Sequence, residues 1–575
     1  MARRGHPYPN VRLQARDLVN LSVAGLPPGA CVKEAHALAA RLNATALGPT
    51  PGIRRFVLRE DLGRAVGLDL GELIANRLLR PLPVVTARAS ETLVRRHLAG
   101  GAPLVIVHDG AATLGAVGRA GVSAPAGPSL KNRLTATLPP TARALLARLG
   151  ALAEAQGGRA FAVGGVLRDM LLSPPTPWGD LSGPPMRAPA DLDVVVEGDG
   201  LAVARLLAAE VHGSLVEHAR FLTASVEDRT GQRVDIATAR AERYEVPGAL
   251  PRVRSAGIGE DLRRRDFAVN AMAAELSSGA FLLIDPFGGQ RDLQQRRLRI
   301  LHPLSFVEDP TRIFRAARYG ARLHFAPDVW TAVCLDLAIA LGPYVALSGQ
   351  RIMAELELIL REPQAATAFA TLGTIGAFRL LDPRYRYTPS TAARLGDLDA
   401  VRAWTAARAM PASFTELLLL AVLGDQDPDI TGPALGRLGL SGEGAQRLVD
   451  ALGRRRSLGE TLRRTPTRSA AARLLRGRPA VELAWLWLSG DPLVRREVTR
   501  FVDHDGTVEP WLRGDEIVAR GVAKGPEVAQ ILELLRDGRL DGTIANRVAA
   551  EQYVRRRAGG LGASAQERPG QREEG

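Results

Sequence analysis

The spacing of hydrophobic and polar positions divides this chain into three regions. Up to about residue 120 the pattern cycles twice through the same elements. One cycle is LSVAGLPPGACVKEAHALAARLNATALGP followed by GIRRFVLREDLGRAVGL, and the other is PLPVVTARASETLVRRHLAGGAPLVIVHDGAATLGAVGRAG. Each predicts a short strand, a turn, an amphipathic helix, a strand, a polar turn and a last strand. An internal repeat of this kind implies that the two units pack against each other. From about 141 to 300, strands and helices mix. Phe161 to Val163 read as a strand, Gly164-Gly165 as a tight turn and Val166 to Leu172 as a helix. The β-branched run in DLDVVVEG, Asp191 to Gly198, reads as another strand. From Glu308 onward, periodic Leu, Ala and Arg with few β-branched runs predict helices, as in SGQRIMAELELILREP and EVAQILELLRDGRL. VSAPAGPSLKNR reads as a linker, and Pro139-Pro140 opens the central region. The end, RRRAGGLGASAQERPGQREEG, is polar, Gly-rich and aperiodic, so residues 556–575 are expected to be disordered.

Composition adds a charge argument. The chain has 575 residues, enough for about four domains. It is 46% hydrophobic and 24% charged, so a packed core is expected. Lysine occurs only at Lys33, Lys131 and Lys524, which leaves 72 of the 75 basic residues as arginine. A net charge of +14 favours a polyanionic partner, with nucleic acid ahead of an acidic membrane surface. Cys31 and Cys334 form no CxxC pair, so neither a disulfide framework nor a zinc site is indicated. MARRGHPYPN leads into no apolar signal core, and the greasy run Leu417 to Leu423 is too short to span a bilayer. The expectation is a soluble, cytoplasmic protein without a membrane partner.

Four segments carry candidate chemistry. In a strand, Asp191 and Asp193 point to one face. Two hard oxygen ligands there suit Mg²⁺. The strand, glycines and helix of FAVGGVLRDMLLS make a phosphate-binding arrangement. Free N–H groups at the helix start face an anion, and Gly164 and Gly165 let it approach closely. Arg168 can add a charge-assisted contact. In DLRRRDFAVNAMAAEL, the side chains of Arg264, Arg265, Asp266 and Asn270 cluster at the start of a predicted apolar helix. Asp266 could accept from ribose hydroxyls while the arginines meet phosphates. In FVEDPTRIFRAARYGARL, Asp309, Arg312 and Arg315 follow at steps of three, adjacent on a helix surface. Asp309 can accept from a base amino group and Arg312 can donate to ring acceptors. An ordinary salt-bridged helix would look the same. The turn in LIDPFGGQRDL reads as structural.

GGVLRD, DLD, RRRDFAVNAM, DPFGG and EDPTRIFRAARYGARL stand in one order that closely resembles the class II tRNA nucleotidyltransferase and bacterial poly(A) polymerase family, within the polymerase-β superfamily. The likeness covers roughly residues 158 to 360, with a weaker helical match to about 555. LSGQRIMAEL, with Arg351 and Glu355, resembles the family's later helix motif. The resemblance implies an α+β chain with a mixed-sheet head at 141–300, a helical neck with a base-selecting helix at 301–370, and a helical body and tail that grip tRNA at 371–555. It implies that Asp191 and Asp193 hold the catalytic Mg²⁺. Gly164, Gly165 and Arg168 would meet the triphosphate, Arg265 and Asp266 phosphate and ribose, and Asp309 and Arg312 the base, with Arg315 nearby. The reaction would join an RNA 3′-hydroxyl to the nucleotide α-phosphate and release pyrophosphate. Some features depart from the pattern. SPPTPWGDLSGPPMRAPA lengthens the connection before DLD and suggests a rim excursion, Ala268 stands for threonine and Leu167 for valine. The family's HD phosphohydrolase domain is missing, and His504-Asp505 reads as structural.

Residues 1–135 resemble a tandem cystathionine-β-synthase (CBS) pair. That likeness implies an adenine nucleotide between the units, with Asp61 on its ribose, and a homodimer formed by stacked pairs. Gly121 stands at the matching place in the second unit, which puts a second site in doubt. Docking without a ligand is the alternative. Among functions, addition of the terminal A to tRNA from ATP, or of the complete CCA with CTP, comes first. RAERYEVPGALPRVRSAGIGEDL is read as the flexible loop that helps A addition. A poly(A) polymerase comes second, and a CBS-regulated RNA-binding protein with an inactive head third.

Overall fold

The computed structural model describes residues 13–48, 54–121, 127–172, 191–277, 279 and 281–565. The connection at 173–190, read as a rim excursion, lies outside the described residues.

The repeat legible in the sequence is a repeat of structure. The first unit holds β1 (Val23–Gly25), α1 (Val32–Arg41), β2 (Ala46–Gly48), β3 (Arg55–Leu58), α2 (Arg59–Gly67) and β4 (Arg80–Pro81). The second holds β5 (Val84–Thr86), α3 (Glu91–Ala99), β6 (Leu104–Asp109) and β7 (Ala112–Gly118). In the first, β1 runs parallel to β2 and β2 antiparallel to β3; in the second, β5 runs parallel to β6 and β6 antiparallel to β7. Phe56 and Leu58 share one buried cluster with Leu104 and Ile106, so each unit covers the apolar face of the other. The units end differently. A nine-residue helix, α2, follows β3, whereas only the short 3₁₀ turn Arg119–Gly121 follows β7.

Part of the expected linker is ordered. Leu130 donates its N–H to the Phe281 carbonyl at 2.9 Å, and Lys131–Thr137 form α4. Leu130, Leu134 and Leu138 recur every four residues and are all buried. The Ser, Pro and Gly before them hid that stripe.

The head begins with α5 (Pro140–Ala155), β8 (Arg159–Val163), α6 (Gly165–Leu172), β9 (Asp191–Glu197), α7 (Gly200–Val211), β10 (Ser214–His218), β11 (Thr223–Glu227) and β12 (Arg233–Thr238). The hairpin β13 (Arg240–Arg243) and β14 (Arg252–Ser255), then α8 (Ile258–Arg263), β15 (Ala273–Glu275), β16 (Leu283–Ile284) and α9 (Gly289–Gln294) complete it. Seven strands form one mixed sheet in the order β10-β11-β12-β9-β8-β15-β16. β9 lies at its centre, parallel to β12 and antiparallel to β8. Leu192 and Val194 to Val196 are at most 2% exposed, as expected for a strand covered on both faces. Asp193 interrupts that run and marks where the sheet opens.

The segment Asp261 to Leu276 is not one apolar helix, as its pattern predicts. α8 ends at Arg263, Ala268–Asn270 make a 3₁₀ turn, and β15 pairs with β8. Asp261 is fully buried and draws both Arg264 and Arg265 back onto itself, which competes with continuing the helix.

Beyond the head, α10 (Ser305–Glu308), α11 (Thr311–Leu323), α12 (Val329–Leu341) and α13 (Gly349–Leu360) follow. The chain divides into two compact units, residues 1–356 with 362–364 and 375–383, and residues 357–361 with 365–374 and 384–575. Every regular element described in the second unit is a helix, with Trp485 fully buried and a cluster around Ile517, Ile531, Leu535 and Val554. Its last helix is Arg547–Ala565. Buried Ala550 and Val554 anchor it. Residues 566–575 lie outside the described residues. No helix among the described residues is long and apolar enough to cross a membrane.

Candidate active site

A cavity of about 360 Å³ opens at the Asp193 end of β9. β8 ends in Gly164, whose φ of +72° is a left-handed conformation that glycine adopts freely. A Cβ there would lie 2.9 Å from Oδ2 of Asp193. The turn is therefore shaped around the carboxylate. Gly164→Ala should cost about 1 kcal/mol of stability and move Asp193. A displacement of that size should slow transfer about a hundredfold while the fold persists. Single-turnover rates beside thermal melts check this, and a rate within twofold of the parent would refute the role of the turn.

Asp191 stands two residues before Asp193 on the same strand, so both occupy one face. The side chain of Asp191 lies outside the described residues. Asp235 on β12 is the register partner of Asp193, which the sequence reading missed. It accepts from Ser225 at 2.5 Å and pairs with Arg233 at 3.1 Å. The Asp193 carboxylate at the cavity wall is a hard oxygen donor of the kind that suits a divalent cation. Among the described residues no group of three or more His, Cys, Asp or Glu is placed to hold a metal ion.

The expected ribose and phosphate contacts sit opposite. Asp266 accepts from the Phe267 N–H at 2.8 Å, from Asn270 at 3.0 Å and from Arg315 at 2.6 Å. Burial pushes its carboxyl up, but Arg315 and Asn270 outweigh burial and hold it down at about 2. Glu308 behaves alike. Burial raises it, and His302 and Arg64 bring it to about 2. Carboxyls depressed in the fold add stability above their unfolded pKa, near 4, and lose it as pH falls toward 2. The urea midpoint should stay level from pH 7 to about 5 and drop steeply between about pH 4.5 and 2. Asp266→Asn should flatten part of that drop, and an identical acid profile would contradict the assignment.

Asp261, absent from the predicted site, organises both arginines. Its Oδ1 accepts from Arg264 at 2.7 Å and its Oδ2 from Arg265 at 3.0 Å. Burial opposes its ionisation, but Arg265 and Arg264 keep it below the usual carboxylate range.

The acid–arginine helix start closes the cavity. Asp309 accepts from the Thr311 hydroxyl at 2.6 Å and from Arg351 at 2.7 Å. Arg312 is 4% exposed and donates to the Ser305 hydroxyl at 2.7 Å and the Arg264 carbonyl at 2.8 Å. Its Nε lies 3.9 Å from Asp309. The two side chains thus stand together at the wall, each braced from behind.

The segment read as a flexible loop is the β13–β14 hairpin. Arg240, Glu242 and Tyr244 line the cavity from it. Their spacing by two was the signal for one strand face. Glu242 pairs with Arg264 at 2.9 Å and Arg240 at 3.2 Å. The hairpin tip is docked here, since the Gly248 carbonyl accepts from Arg351 at 2.6 Å and its N–H donates to the Glu308 carbonyl at 3.2 Å.

Of the predicted residues, Gly164, Gly165, Asp193, Arg265, Asp266, Asp309, Arg312 and Arg315 line this one cavity. Arg168 does not. It is 3% exposed, gives its donors to Asn270 and Asp169, and lies under the Tyr319 ring at 5.2 Å. It braces the turn from behind. In the second unit, Asp505 of the His504-Asp505 pair is buried against Arg468 and Arg500, a structural arrangement.

A mixed sheet with DxD at its central strand, beside a glycine turn and below an acid–arginine helix, defines a polymerase-β-like nucleotidyltransferase head. Residues 160–299 match the family described as Poly A polymerase head domain. The chain is 31% identical over 578 residues to an A-adding tRNA nucleotidyltransferase of Geobacter sulfurreducens, an alignment covering 93% of this chain and 63% of that protein. It is 37% identical over 243 residues to an A-adding tRNA nucleotidyltransferase of Halalkalibacterium halodurans, 41% of this chain and 53% of that one. The chain thus spans less than two thirds of these curated relatives. Among solved structures, a Thermotoga maritima CCA-adding enzyme complexed with tRNA matches with TM-score 0.63 at 26% identity, covering 75% of this chain and 98% of that one. A CCA-adding enzyme complexed with ATP matches with TM-score 0.64 at 26% identity, covering 77% and 100%.

Proposed function

We propose that the chain is a template-independent nucleotidyltransferase that adds the terminal A to the 3′ end of tRNA from ATP. The observation that carries this is the single cavity holding Asp193, the Gly164 turn, Asp266 and the Asp309–Arg312 pair. The 3′-hydroxyl of the RNA gives up its proton to solvent as its oxygen forms a bond to the α-phosphorus of ATP, the bond from that phosphorus to the bridging oxygen breaks, and pyrophosphate leaves with the electron pair. Asp191 and Asp193 would hold Mg²⁺, which when bound supplies Lewis acidity to the hydroxyl and offsets charge on the leaving group. Gly164 and Gly165 open the helix start to the triphosphate, and Arg265 adds positive charge beside them. Asp266 accepts from the ribose. Asp309 accepts from the adenine amino group and Arg312 donates to a ring nitrogen, with Tyr244 and the docked hairpin closing the wall. Positioning and charge placement supply most of the rate.

Residues 301–370 would serve as the neck and 371–555 as the tRNA-gripping body, consistent with the many arginines there. The repeat at 1–135 is read as a CBS pair with an adenine nucleotide and a two-fold partner. The names of the A-adding relatives favour A addition over poly(A) synthesis. Addition of the complete CCA is the second reading, favoured by the CCA-adding structures. Product length on a tRNA ending in CC, with ATP and Mg²⁺, tests the proposal. One added A with one pyrophosphate is expected, and long A tails would overturn it.

A further inference from the structure

Glu308 and Arg263 each stand one residue before a group that fixes Arg312. Glu308 precedes Asp309, whose carboxylate lies 3.9 Å from the Arg312 Nε, and Arg263 precedes Arg264, whose carbonyl accepts from Arg312 at 2.8 Å. One helix of the first repeat holds both. On α2, Arg64 donates to Glu308 at 3.1 Å and Glu60 accepts from Arg263 at 2.8 Å. Glu60 and Arg64 also pair with each other, one helical turn apart, at 3.2 Å. An unbroken line of charges, Arg263–Glu60–Arg64–Glu308, thus runs from the end of α8 across α2 to the end of α10. Its Glu308 end is buried, with the side chain 7% exposed, and the Nε2 of His302 lies 3.3 Å from the other carboxylate oxygen. Its Arg263 end is half-exposed, where an ion pair contributes little by itself. Arg80 of the same repeat donates to the Leu301 carbonyl at 3.1 Å and lies over the Trp330 ring at 4.7 Å, which fastens the repeat beside His302 as well. The second repeat ends in a 3₁₀ turn where the first carries α2, so the repeats differ at the helix that meets Glu308.

We infer that Arg64 is a positioning residue for base selection, supported by Glu60, and that the first repeat braces the nucleotide site through α2 without needing a ligand of its own. Arg64 does not line the nucleotide cavity. It acts by fixing the step from Glu308 to Asp309, and with it the placement of the Asp309 carboxylate against the Arg312 fork. Side chains that touch a ligand keep their geometry only when the residues behind them are held. Base contacts grip the nucleotide alike before and during transfer, so loosening them raises KM and leaves kcat in place. A side chain that only stabilised the fold would, when lost, lower the active fraction and so the apparent kcat at constant KM. The selecting role rests on the nucleotidyltransferase reading of the head, whereas the brace itself is read out by ATP binding.

Steady-state transfer by the full chain to a CC-ended tRNA, with ATP and CTP varied separately, reads both quantities. Arg64→Ala should raise the KM for ATP roughly five- to tenfold, keep kcat within about twofold and lower the preference for ATP over CTP severalfold. Arg64→Lys keeps the charge and should recover part of the loss. Glu60→Gln should shift KM less than Arg64→Ala, because its pair with Arg263 is half-exposed. Lys33→Ala removes an ion pair to Glu72 of the same repeat that is 66% and 82% exposed, and should move neither quantity. Glu308→Gln should raise KM as Arg64→Ala does, and adding Arg64→Ala to it should cost no more than about twofold further, since coupled partners do not add. Thermal melts confirm folding, and Arg64→Gln carries the same expectation if Arg64→Ala unfolds. An unmoved KM, a loss of kcat alone, or full additivity with Glu308→Gln would overturn the positioning role. Equilibrium binding of ATP to the same variants keeps the two readings apart. Weaker ATP binding in Arg64→Ala by a chain that transfers nothing would refute the transferase and uphold the brace, whereas equal ATP affinity in parent and variant would refute the brace whatever the chain transfers.

Discussion

Asp193→Ala should lower nucleotidyl transfer by a thousandfold or more, of the order seen when charge placement at a reacting phosphate is lost, while RNA binding stays within about twofold. The carboxylate sits at the cavity wall on the central strand, and the glycine turn is contoured around it. Removing it relieves the close approach of Gly164, so unfolding is not the expected route to inactivity. Rapid-quench rates with saturating ATP and filter binding of tRNA separate the two quantities. Transfer at the parent rate would remove the metal-holding role from DLD.

Arg312→Ala should reduce the preference for ATP over other nucleotides by roughly tenfold to a hundredfold, with tRNA affinity nearly unchanged. It should also cost about 2–3 kcal/mol of stability, because the Ser305 hydroxyl and Arg264 carbonyl lose a buried charged donor. Arg312→Lys keeps the charge and gives up the planar fork, so it should regain more stability than selectivity. Competition among the four nucleotides on one tRNA measures the preference. A stability loss with the preference intact would leave Arg312 as a brace for the helix start.

Much of this site was legible because strand and helix periods place side chains directly. Steps of two put Asp191 and Asp193 on one face, and steps of three grouped Asp309, Arg312 and Arg315. The repeat at the N-terminus was visible for the same reason, since its strands and helices recur in order. Illegible residues depended on burial and non-local pairing. Asp261 looks like any acid before an arginine run, and only the folded chain shows it fully buried beneath Arg264 and Arg265. Asp235 meets Asp193 through a parallel register between strands 42 residues apart at that pair. Arg168 has the residue type for a phosphate contact, yet Asn270 and Tyr319 hold it behind the turn. Composition misled before α4, where Ser, Pro and Gly masked the buried stripe of Leu130, Leu134 and Leu138.

A addition at this head is tested most directly by product length on two tRNAs. Purified protein with Mg²⁺ would meet two tRNAs, one ending in CC and one lacking it, with ATP and CTP supplied singly and together and products resolved to one nucleotide. A single A on the CC-ended tRNA from ATP, and no extension of the shorter tRNA under any condition, is the expected result. Completion of the shorter tRNA to CCA would contradict A-only addition, and no product on either tRNA would contradict the transferase itself.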